Sequence, residues 1–329
     1  MTEETKETRE KIQPWSDPVR IAGIVALVLI FFASLSLTWS LLADSSPGQG
    51  RAVAAAAAAL PPAPDLSAFE NISIKARSAI VVDLSTGYTL YTLNPDAQWP
   101  LASLTKVALA LAVAESISTK KILSIPYDTS GGGQRLRAGE RWRVQDVIDF
   151  TLIVSSNGGA NLLASIAEDR IRERHLLAPQ NDATLWRMND LAGQLGLTHT
   201  YFLNVTGLDE SGSQAGAYGS ARDIAALFAY AASTSPEIFA ATTKTTIHLT
   251  SIDGVQKTAI NTDEALPDIP GVVMGKTGYT DLAGGNLAII FETNGHRIAA
   301  VILGSSQSGR FEDMRSLVAA AAQTFSKAE

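Results

Sequence analysis

The sequence predicts an α+β domain in which an antiparallel sheet of about five strands joins both ends of the domain around a mostly helical middle. Apolar, β-branched runs bounded by turn residues occur near residue 80 and again after residue 245. The stretch between them carries helix-like apolar spacing instead. Because strands and helices are segregated along the chain, we expect helices packed on the faces of one antiparallel sheet.

The first 66 residues differ in composition from this domain. Residues 21–43 are uncharged and largely apolar, close to the ~20 residues that a transmembrane helix needs. Four basic residues precede this stretch, whereas residues 44–66 carry only Arg51, so the basic segment 1–20 should be cytoplasmic. An alanine run followed by three prolines makes residues 44–66 a linker. The sequence therefore predicts a single-pass anchor in the cytoplasmic membrane, with residues 67–329 on the extracytoplasmic face.

The domain should begin with a hairpin and continue into helices. Residues 79–83 and 88–93 are predicted strands around the turn Ser85-Thr86-Gly87. Residues 103–115, rich in Ala and Leu and free of Pro and Gly, are predicted to form a helix with Ser103 in its first turn or at its cap. Apolar spacing predicts four further helices, over residues 145–154, 159–169, 185–195 and 221–232.

The last third of the chain should return to strands. Asp253-Gly254 and Asn294-Gly295 are strong signals for two-residue hairpin turns. Runs of β-forming residues flank both turns, at residues 245–250, 255–261, 287–293 and 297–303. Residues 311–325 are predicted to close the domain as an amphipathic helix.

Composition excludes several kinds of function. Hydrophobic residues at 46% and charged residues at 18% suit a sizeable core, and a net charge of −7 argues against a nucleic-acid partner. The chain has no cysteine, so disulfides and thiolate metal sites are impossible. Its four histidines are scattered, with no His-Glu-x-x-His pattern. We therefore predict neither a metal site nor a cofactor.

Three short motifs carry the candidate chemistry. They are Ser103-Leu104-Thr105-Lys106, Ser155-Ser156-Asn157 and Lys276-Thr277-Gly278. Each is weak alone, and Ser118-Thr119-Lys120-Lys121 repeats the first pattern by chance. Their contexts strengthen the set, because the first begins a helix, the second follows an apolar helix, and the third precedes a hairpin. This combination is the signature of serine enzymes that form an acyl intermediate.

The first motif predicts a nucleophile and its base. Residues i and i+3 share a helix face, which brings Lys106 within reach of the Ser103 hydroxyl. Lys106 must be neutral to accept a proton, so its pKa must be lowered by burial or by a nearby cation such as Lys276. The helix N-terminus also favours negative charge on Ser103.

The other two motifs predict proton transfer and substrate binding. Ser155 can pass a proton between Lys106 and the leaving amine, and the Asn157 amide can orient Lys106 and the substrate backbone. Lys276 and Thr277 on a strand edge can bind a carboxylate while the substrate adds as an extra strand. Glycine at 278 permits close approach.

The chain resembles the serine D-alanyl-D-alanine carboxypeptidases, the low-molecular-mass penicillin-binding proteins. Beyond the three motifs, the landmarks are Asp83-Leu84-Ser85-Thr86-Gly87, Ala102, Gly139-Glu140, Met188-Asn189 and residues 202–208, 220–223 and 276–280. The resemblance implies a β-lactamase/transpeptidase-like fold, a peptidoglycan stem peptide ending in D-Ala-D-Ala as substrate, and β-lactams as covalent inhibitors. It also implies that Ser103 attacks the penultimate D-alanine carbonyl, whose oxyanion is held by the backbone N–H groups of Ser103 and Tyr279.

Three alternatives to a carboxypeptidase remain open. A D,D-endopeptidase that cuts peptidoglycan cross-links has the same motifs, because pocket shape sets such specificity. A β-lactamase would need a deacylating glutamate between the second and third motifs, where the sequence has no Glu-x-x-x-Asn segment and Glu210 lies in what resembles the carboxypeptidase turn. A non-catalytic wall-binding module would not need Ser103, Lys106 and Lys276 together.

Overall fold

The computed structural model describes residues 63–129 and 135–326. The predicted cytoplasmic segment, the predicted transmembrane helix and all of the predicted linker except residues 63–66 lie outside the described residues. A 3₁₀ helix, Leu66–Phe69, begins the described domain, and the Asp65 side chain accepts a hydrogen bond from the Ser67 backbone N–H at its N-terminus.

Strands predominate at both ends of the described domain, and helices predominate in its middle. The α-helices are α1 (Thr105–Ser116), α2 (Val144–Ile153), α3 (Asn157–Arg174), α4 (Ala183–Gln194), α5 (Ala221–Thr234), α6 (Pro236–Phe239) and α7 (Gly309–Ser326). The strands are β1 (Ser78–Asp83), β2 (Thr89–Leu93), β3 (Trp99–Pro100), β4 (Ile122–Ser124), β5 (Arg141–Arg143), β6 (Tyr201–Phe202), β7 (Ala217–Gly219), β8 (Thr246–Thr250), β9 (Gln256–Ile260), β10 (Val272–Thr280), β11 (Gly284–Thr293) and β12 (His296–Ser305).

The main sheet has five antiparallel strands in the order β10-β11-β12-β1-β2. The β11–β12 hairpin turns at Asn294-Gly295, where both residues have positive φ, as a two-residue type I′ turn requires. The N-terminal strand β1 pairs with the C-terminal strand β12 from Ser78↔Leu303 to Asp83↔Ile298. The predicted α+β class and the sheet built from both ends of the domain are confirmed.

Both faces of the sheet are buried, which gives its central strands their continuous apolar character. Along β12, Ala299, Val301 and Leu303 pack into the core shared with helices α1 to α5, whereas the alternate residues pack into a second core under α7. Because neighbouring strand residues point to opposite faces, one run of apolar residues serves two cores. The domain is therefore layered as helices, sheet and helix.

Helix α1 lies at the centre of the larger core and is apolar on all sides. Ten of its twelve residues are buried, among them Lys106. It packs among α2, α3, α4 and α5. A helix without a polar face must be surrounded by protein, and this placement fixes Ser103 at the junction of the helical layer and the sheet.

Local details differ from the sequence predictions where tertiary contacts decide the structure. The predicted helix at 103 opens as a 3₁₀ turn, Ala102–Leu104, before α1. The hairpin β8–β9 forms its own two-stranded sheet, and so does the pair β4–β5. The short strands of the β3-β7-β6 sheet are too brief to show a sequence period.

The longest helices among the described residues, α3 and α7, have 18 residues each. No single helix there is long and apolar enough to cross a bilayer. Ala221–Thr234 and Pro236–Thr243 meet the criterion only as a pair, which is bent by 109°.

Candidate active site

The turn that carries Ser103 is strained and tightly braced. Ala102 has a φ of 47°, in the left-handed region that alanine rarely adopts. The Thr105 hydroxyl donates a hydrogen bond of 2.7 Å to the Ala102 carbonyl and closes the turn. Strain of this kind persists only where the surrounding contacts hold it, and here it projects Ser103, which is half-buried, out of the core.

Lys106 is buried directly behind Ser103. Its side chain is 0% exposed. Its Nζ atom lies 2.8 Å from Ser103 Oγ and donates to Asn157 Oδ1 and to the Thr206 carbonyl, each also at 2.8 Å. A neutral amine has two N–H groups and one lone pair. Two acceptor oxygens and one hydroxyl match that inventory, so the lone pair can face the Ser103 proton.

The electrostatic environment favours this neutral amine. Burial lowers the pKa of Lys106 well below its ordinary value, and the positive charge of Lys276 lowers it further. Burial acts in this direction because the charged form loses its hydration. The sequence prediction of a lowered pKa with Lys276 as the contributing cation agrees with these two causes, although burial is the larger.

The second motif lies in the connection between α2 and α3. Ser155 has a φ of 57°, and Ser156 caps α3 by accepting a hydrogen bond of 3.0 Å from the Gly159 backbone N–H. The cap orients Asn157, the first residue of α3, toward Lys106. The glycine at 159 is required by packing, since a Cβ there would lie 2.3 Å from Thr151 Oγ1.

Lys276 closes the opposite side of the site. It lies on β10, an edge strand of the main sheet, yet it is only 3% exposed. Its Nζ donates to Ser155 Oγ at 2.9 Å and to the Thr277 carbonyl at 3.0 Å. Burial lowers the pKa of Lys276 to about 7, assisted by the charge of Arg310 and opposed by that of Asp263. Lys276 can therefore carry a positive charge near neutral pH.

Gly278 brings β10 against the nucleophile turn. A Cβ at this position would lie 2.9 Å from the Leu101 carbonyl and 3.2 Å from the Ser103 backbone nitrogen. The next residue, Tyr279, is 45% exposed at the rim. The absence of a side chain at 278 thus lets the backbone of β10 approach Ser103, as an oxyanion site built from Ser103 and Tyr279 requires.

These groups line one cleft of about 240 Å³. The structure brings all the predicted site residues together there except Lys106 and Lys276, which are buried behind its wall. The lining residues are Ser103, Ser155, Asn157, Leu208, Thr262, Thr277, Gly278, Tyr279, Thr280 and Arg310.

Several site residues were not identified from the sequence. Thr262 Oγ1 lies 2.5 Å from Thr277 Oγ1. Arg310, at the start of α7, donates to the Gly278 carbonyl at 2.9 Å, while its Nε is buried without a hydrogen-bond partner. Leu208 adds an apolar side chain to the cleft. These residues carry no motif of their own, because only the folded chain places them beside the third motif.

The loop after β6 supports the nucleophile from below. Asn204 Oδ1 accepts hydrogen bonds from the Thr206 backbone N–H at 3.0 Å and from the Gly207 N–H at 2.7 Å. This folds the loop so that the Thr206 carbonyl points at Lys106. Residues 202–208 stood out in the sequence as a family landmark, but their contact with the base was not predicted.

Two residues that the sequence offered as alternative catalytic groups, Ser118 and Glu210, lie outside the cleft. Ser118 follows the end of α1 in an exposed turn, where its carbonyl accepts a hydrogen bond from the Lys121 N–H at 3.0 Å. Glu210 is exposed and accepts a hydrogen bond of 2.5 Å from the Asn204 side chain. Neither residue lines the cleft.

Known proteins resemble this chain in sequence and in fold. D-alanyl-D-alanine carboxypeptidase DacB2 of Mycobacterium tuberculosis is 31% identical over 211 residues, which cover 63% of this chain and 67% of that protein. A D-alanyl-D-alanine endopeptidase of Pseudomonas aeruginosa is 32% identical over 161 residues, covering 47% of this chain and 48% of that protein.

Solved structures extend the likeness to the whole domain. Penicillin-binding protein D2 of Listeria monocytogenes, in its ampicillin-bound form, has a TM-score of 0.61 at 28% identity, covering 76% of this chain and 98% of that chain. The chain spans about three fifths of the length of two further curated carboxypeptidases, DacF of Bacillus subtilis and DacA of Escherichia coli.

The family model for D-alanyl-D-alanine carboxypeptidases, peptidase family S11, matches residues 65–307, which include all three motifs. The match therefore covers the described domain from its first 3₁₀ helix to the start of α7. On this evidence the chain belongs to the S11 family of D-alanyl-D-alanine carboxypeptidases.

Proposed function

We propose that this protein is a serine D-alanyl-D-alanine carboxypeptidase that trims peptidoglycan stem peptides through an acyl-enzyme on Ser103. The observation that carries the proposal is the contact between the buried Lys106 amine and Ser103 Oγ at 2.8 Å. A serine hydroxyl needs an adjacent base to become a nucleophile, and Lys106 has the position and the lowered pKa for that role.

Acylation begins with proton transfer from the Ser103 hydroxyl to the neutral Lys106 amine. Ser103 Oγ then forms a bond to the carbonyl carbon of the penultimate D-alanine. The carbonyl oxygen gains negative charge, which the backbone N–H groups of Ser103 and Tyr279 stabilise. The close approach of β10 at Gly278 supports this pair of donors.

Collapse of the intermediate releases terminal D-alanine. The C–N bond breaks, and the leaving nitrogen receives the proton that Lys106 passes on through the Ser155 hydroxyl. Protonated Lys276 and the Thr277 hydroxyl bind the terminal carboxylate, which favours substrates with a free C-terminus. A water molecule then attacks the ester carbonyl while Lys106 accepts its proton. The bond between Ser103 Oγ and the acyl carbon breaks, and Lys106 returns the proton to Ser103 Oγ as the shortened peptide leaves.

Covalent labelling by a fluorescent penicillin tests the proposal. The wild type should be labelled, since β-lactams acylate the same serine, and Ser103→Ala should not be. Ser118→Ala is the matched control, because Ser118 begins the second Ser-x-x-Lys pattern in the chain. Failure of the wild type to label, or loss of labelling in Ser118→Ala with retention in Ser103→Ala, would contradict the proposal.

A D,D-endopeptidase is the second candidate, favoured by the likeness to the Pseudomonas aeruginosa protein of that name. Release of D-alanine from a pentapeptide, measured beside cleavage of a cross-linked dimer at equal concentration, separates the two activities. We expect the pentapeptide to give the larger kcat/KM. A larger value for the dimer would replace the carboxypeptidase with the endopeptidase.

We also propose that residues 21–43 anchor the domain in the cytoplasmic membrane, with the cleft on the extracytoplasmic side. Support comes from the length and apolar character of this stretch and from the basic residues before it. A location outside the cytoplasm would give the cleft access to peptidoglycan. The linker of residues 44–66 would give the domain reach from the membrane surface.

A further inference from the structure

A buried carboxylate, Asp263, lies behind the carboxylate-binding side of the cleft. It belongs to the loop between β9 and the 3₁₀ helix Leu266–Asp268, and it is only 5% exposed. Its Oδ1 accepts a hydrogen bond of 2.9 Å from the Ala265 backbone N–H, and its own N–H donates to Asn261 Oδ1 at 3.0 Å. These contacts fix the position of a charged group inside the domain.

The same loop contacts the second and third motifs. The Thr262 N–H donates a hydrogen bond of 3.2 Å to the carbonyl of Ile153, two residues before Ser155. The Thr262 hydroxyl lies 2.5 Å from Thr277 Oγ1. A Cβ added to Gly275 would lie 3.7 Å from Asp263 Oδ2, so the carboxylate abuts β10 one residue before Lys276, on the face of the strand opposite the Lys276 side chain.

Two buried cations, Lys276 and Arg310, lie close enough to this carboxylate for its charge to raise the pKa of both. The positive charge of Arg310 lowers the pKa of Lys276, and the charge of Asp263 opposes this effect. Burying a like-charged pair without an anion is costly, because neither cation keeps its hydration. Burial raises the pKa of Asp263, but the Ala265 N–H and the charges of Arg310 and Lys276 favour its ionised form.

We propose that Asp263 is a positioning residue whose buried negative charge keeps Lys276 protonated, and so able to bind the terminal carboxylate of the substrate. The role rests on the proposed carboxypeptidase function, because it acts through the carboxylate-binding lysine. Asp263 does not touch the reacting atoms. It sets the charge of a residue that binds the substrate.

The consequence is a specific pH dependence. The pKa of Lys276 is about 7, lowered first by burial and then by Arg310, with Asp263 acting in the opposite direction. Lys276 in turn lowers the pKa of Lys106, and the charges of Glu264 and Tyr279 raise the pKa of Arg310. Removing the Asp263 charge must lower the pKa of Lys276 further, so Lys276 loses its proton at a lower pH.

The test compares kcat/KM for D-alanine release between pH 5.5 and pH 8.5 in the wild type, Asp263→Asn and Asp263→Ser. Both variants remove the charge, and Ser retains a short acceptor for the Ala265 N–H. A fall of about one unit in the pKa of Lys276 reduces kcat/KM by about fivefold to tenfold at pH 7.5 and by less than about twofold at pH 5.5. The loss should appear mainly in KM, because binding of the carboxylate weakens.

Asp268→Asn is the matched control. Asp268 ends the same segment, but its carboxylate is exposed and accepts a hydrogen bond of 2.7 Å from Arg315. The pH profile of this variant should coincide with that of the wild type. Near-native activity of the Asp263 variants at pH 5.5 shows that they are folded.

A substrate analogue with a C-terminal amide separates a charge effect from a structural one. The analogue has no carboxylate to bind, so its kcat/KM at pH 7.5 should be the same for the wild type and Asp263→Asn. A loss that is equal at all pH values, or equal for peptide and amide, would overturn the role of Asp263. A wild type that releases no D-alanine from the pentapeptide would instead contradict the proposed function.

Discussion

At the scale of single residues, two lysines in the same site differ in what surrounds them. Lys106 has two fixed acceptors and a hydroxyl around its amine, and burial is the main cause of its lowered pKa. Lys276 has an anion, Asp263, acting on it, and its pKa is about 7. One lysine can therefore be a base while the other binds a carboxylate as a cation.

Replacing Lys106 by Met should remove the base and keep the volume of the side chain. We expect the rate of acylation by a fluorescent penicillin to fall by about 10²–10⁴-fold, the usual contribution of a general base. Lys120→Met is the control, because Lys120 lies in the exposed turn after α1 and should label at the wild-type rate. Acylation of Lys106→Met at the wild-type rate would exclude Lys106 as the base.

The chemical pair of Ser103 and Lys106 was predictable from sequence, because residues three apart on a helix share a face. Asn157, Lys276 and Thr277 were also predictable from their motifs. Thr206, Arg310 and Asp263 were not, since each reaches the site through contacts with residues far away in the chain. The predicted catalytic and binding roles remain predictions until the variants are measured.

At the scale of elements, the nucleophile turn depends on the loop beneath it. Gly207 has a φ of 76°, and a Cβ there would lie 1.8 Å from the Ala102 carbonyl oxygen. That carbonyl belongs to the strained residue just before Ser103. The loop and the turn therefore fit together only if residue 207 is glycine.

Gly207→Ala should destabilise the domain and misplace Ser103. We expect a loss of about 2–4 kcal/mol in the free energy of unfolding, from overpacking and from the positive φ. Penicillin acylation should slow even at temperatures where the variant is folded. Gly212→Ala, in the same loop with open space around the added Cβ, should match the wild type in denaturant titration and in labelling. Equal stability of the two variants would contradict the close-packed contact.

Elements with a clear sequence period were predicted well, within a few residues of their ends. Helix α5 owes this to its apolar spacing, and the strands β1 and β12 owe it to continuous apolar runs next to turn residues; their burial agrees with both patterns. The 3₁₀ turn at Ala102 was not predicted, because contacts with Gly278 and Gly207 hold it in place. The sequence predicted an antiparallel sheet that joins both ends of the domain, but not the order of its strands. Sequence periodicity does not identify the strand with which another strand pairs.

At the scale of the whole molecule, the site lies where the helical layer meets the edge of the sheet. The turn before helix α1 contributes Ser103, whereas the edge strand β10 contributes Lys276. An edge strand can accept an extended peptide as an additional strand. The architecture therefore places the edge strand β10 directly beside the nucleophile, as the proposed addition of the substrate as a strand requires.

The proposed anchor makes a prediction for the intact chain. The full-length protein should sediment with membranes and resist extraction by high salt, because a transmembrane helix is held by hydrocarbon burial. A variant that lacks residues 21–43 should appear in the soluble fraction and should still be labelled by penicillin. Release of the full-length protein by salt alone would contradict the anchor.

The pairing of β1 with β12 also determines when during synthesis the domain can finish folding. The chain carrying β1, β2 and Ser103 is made first, but β1 lacks its inner neighbour until residues 296–305 exist. At about 5–20 residues per second, the roughly 190 residues between Ser103 and β12 take about 10–40 s to make. Lys276 and Arg310 are also synthesised long after Ser103. The nascent chain therefore holds Ser103 without the cations that surround it in the folded domain, and the site is complete only once synthesis has passed Arg310.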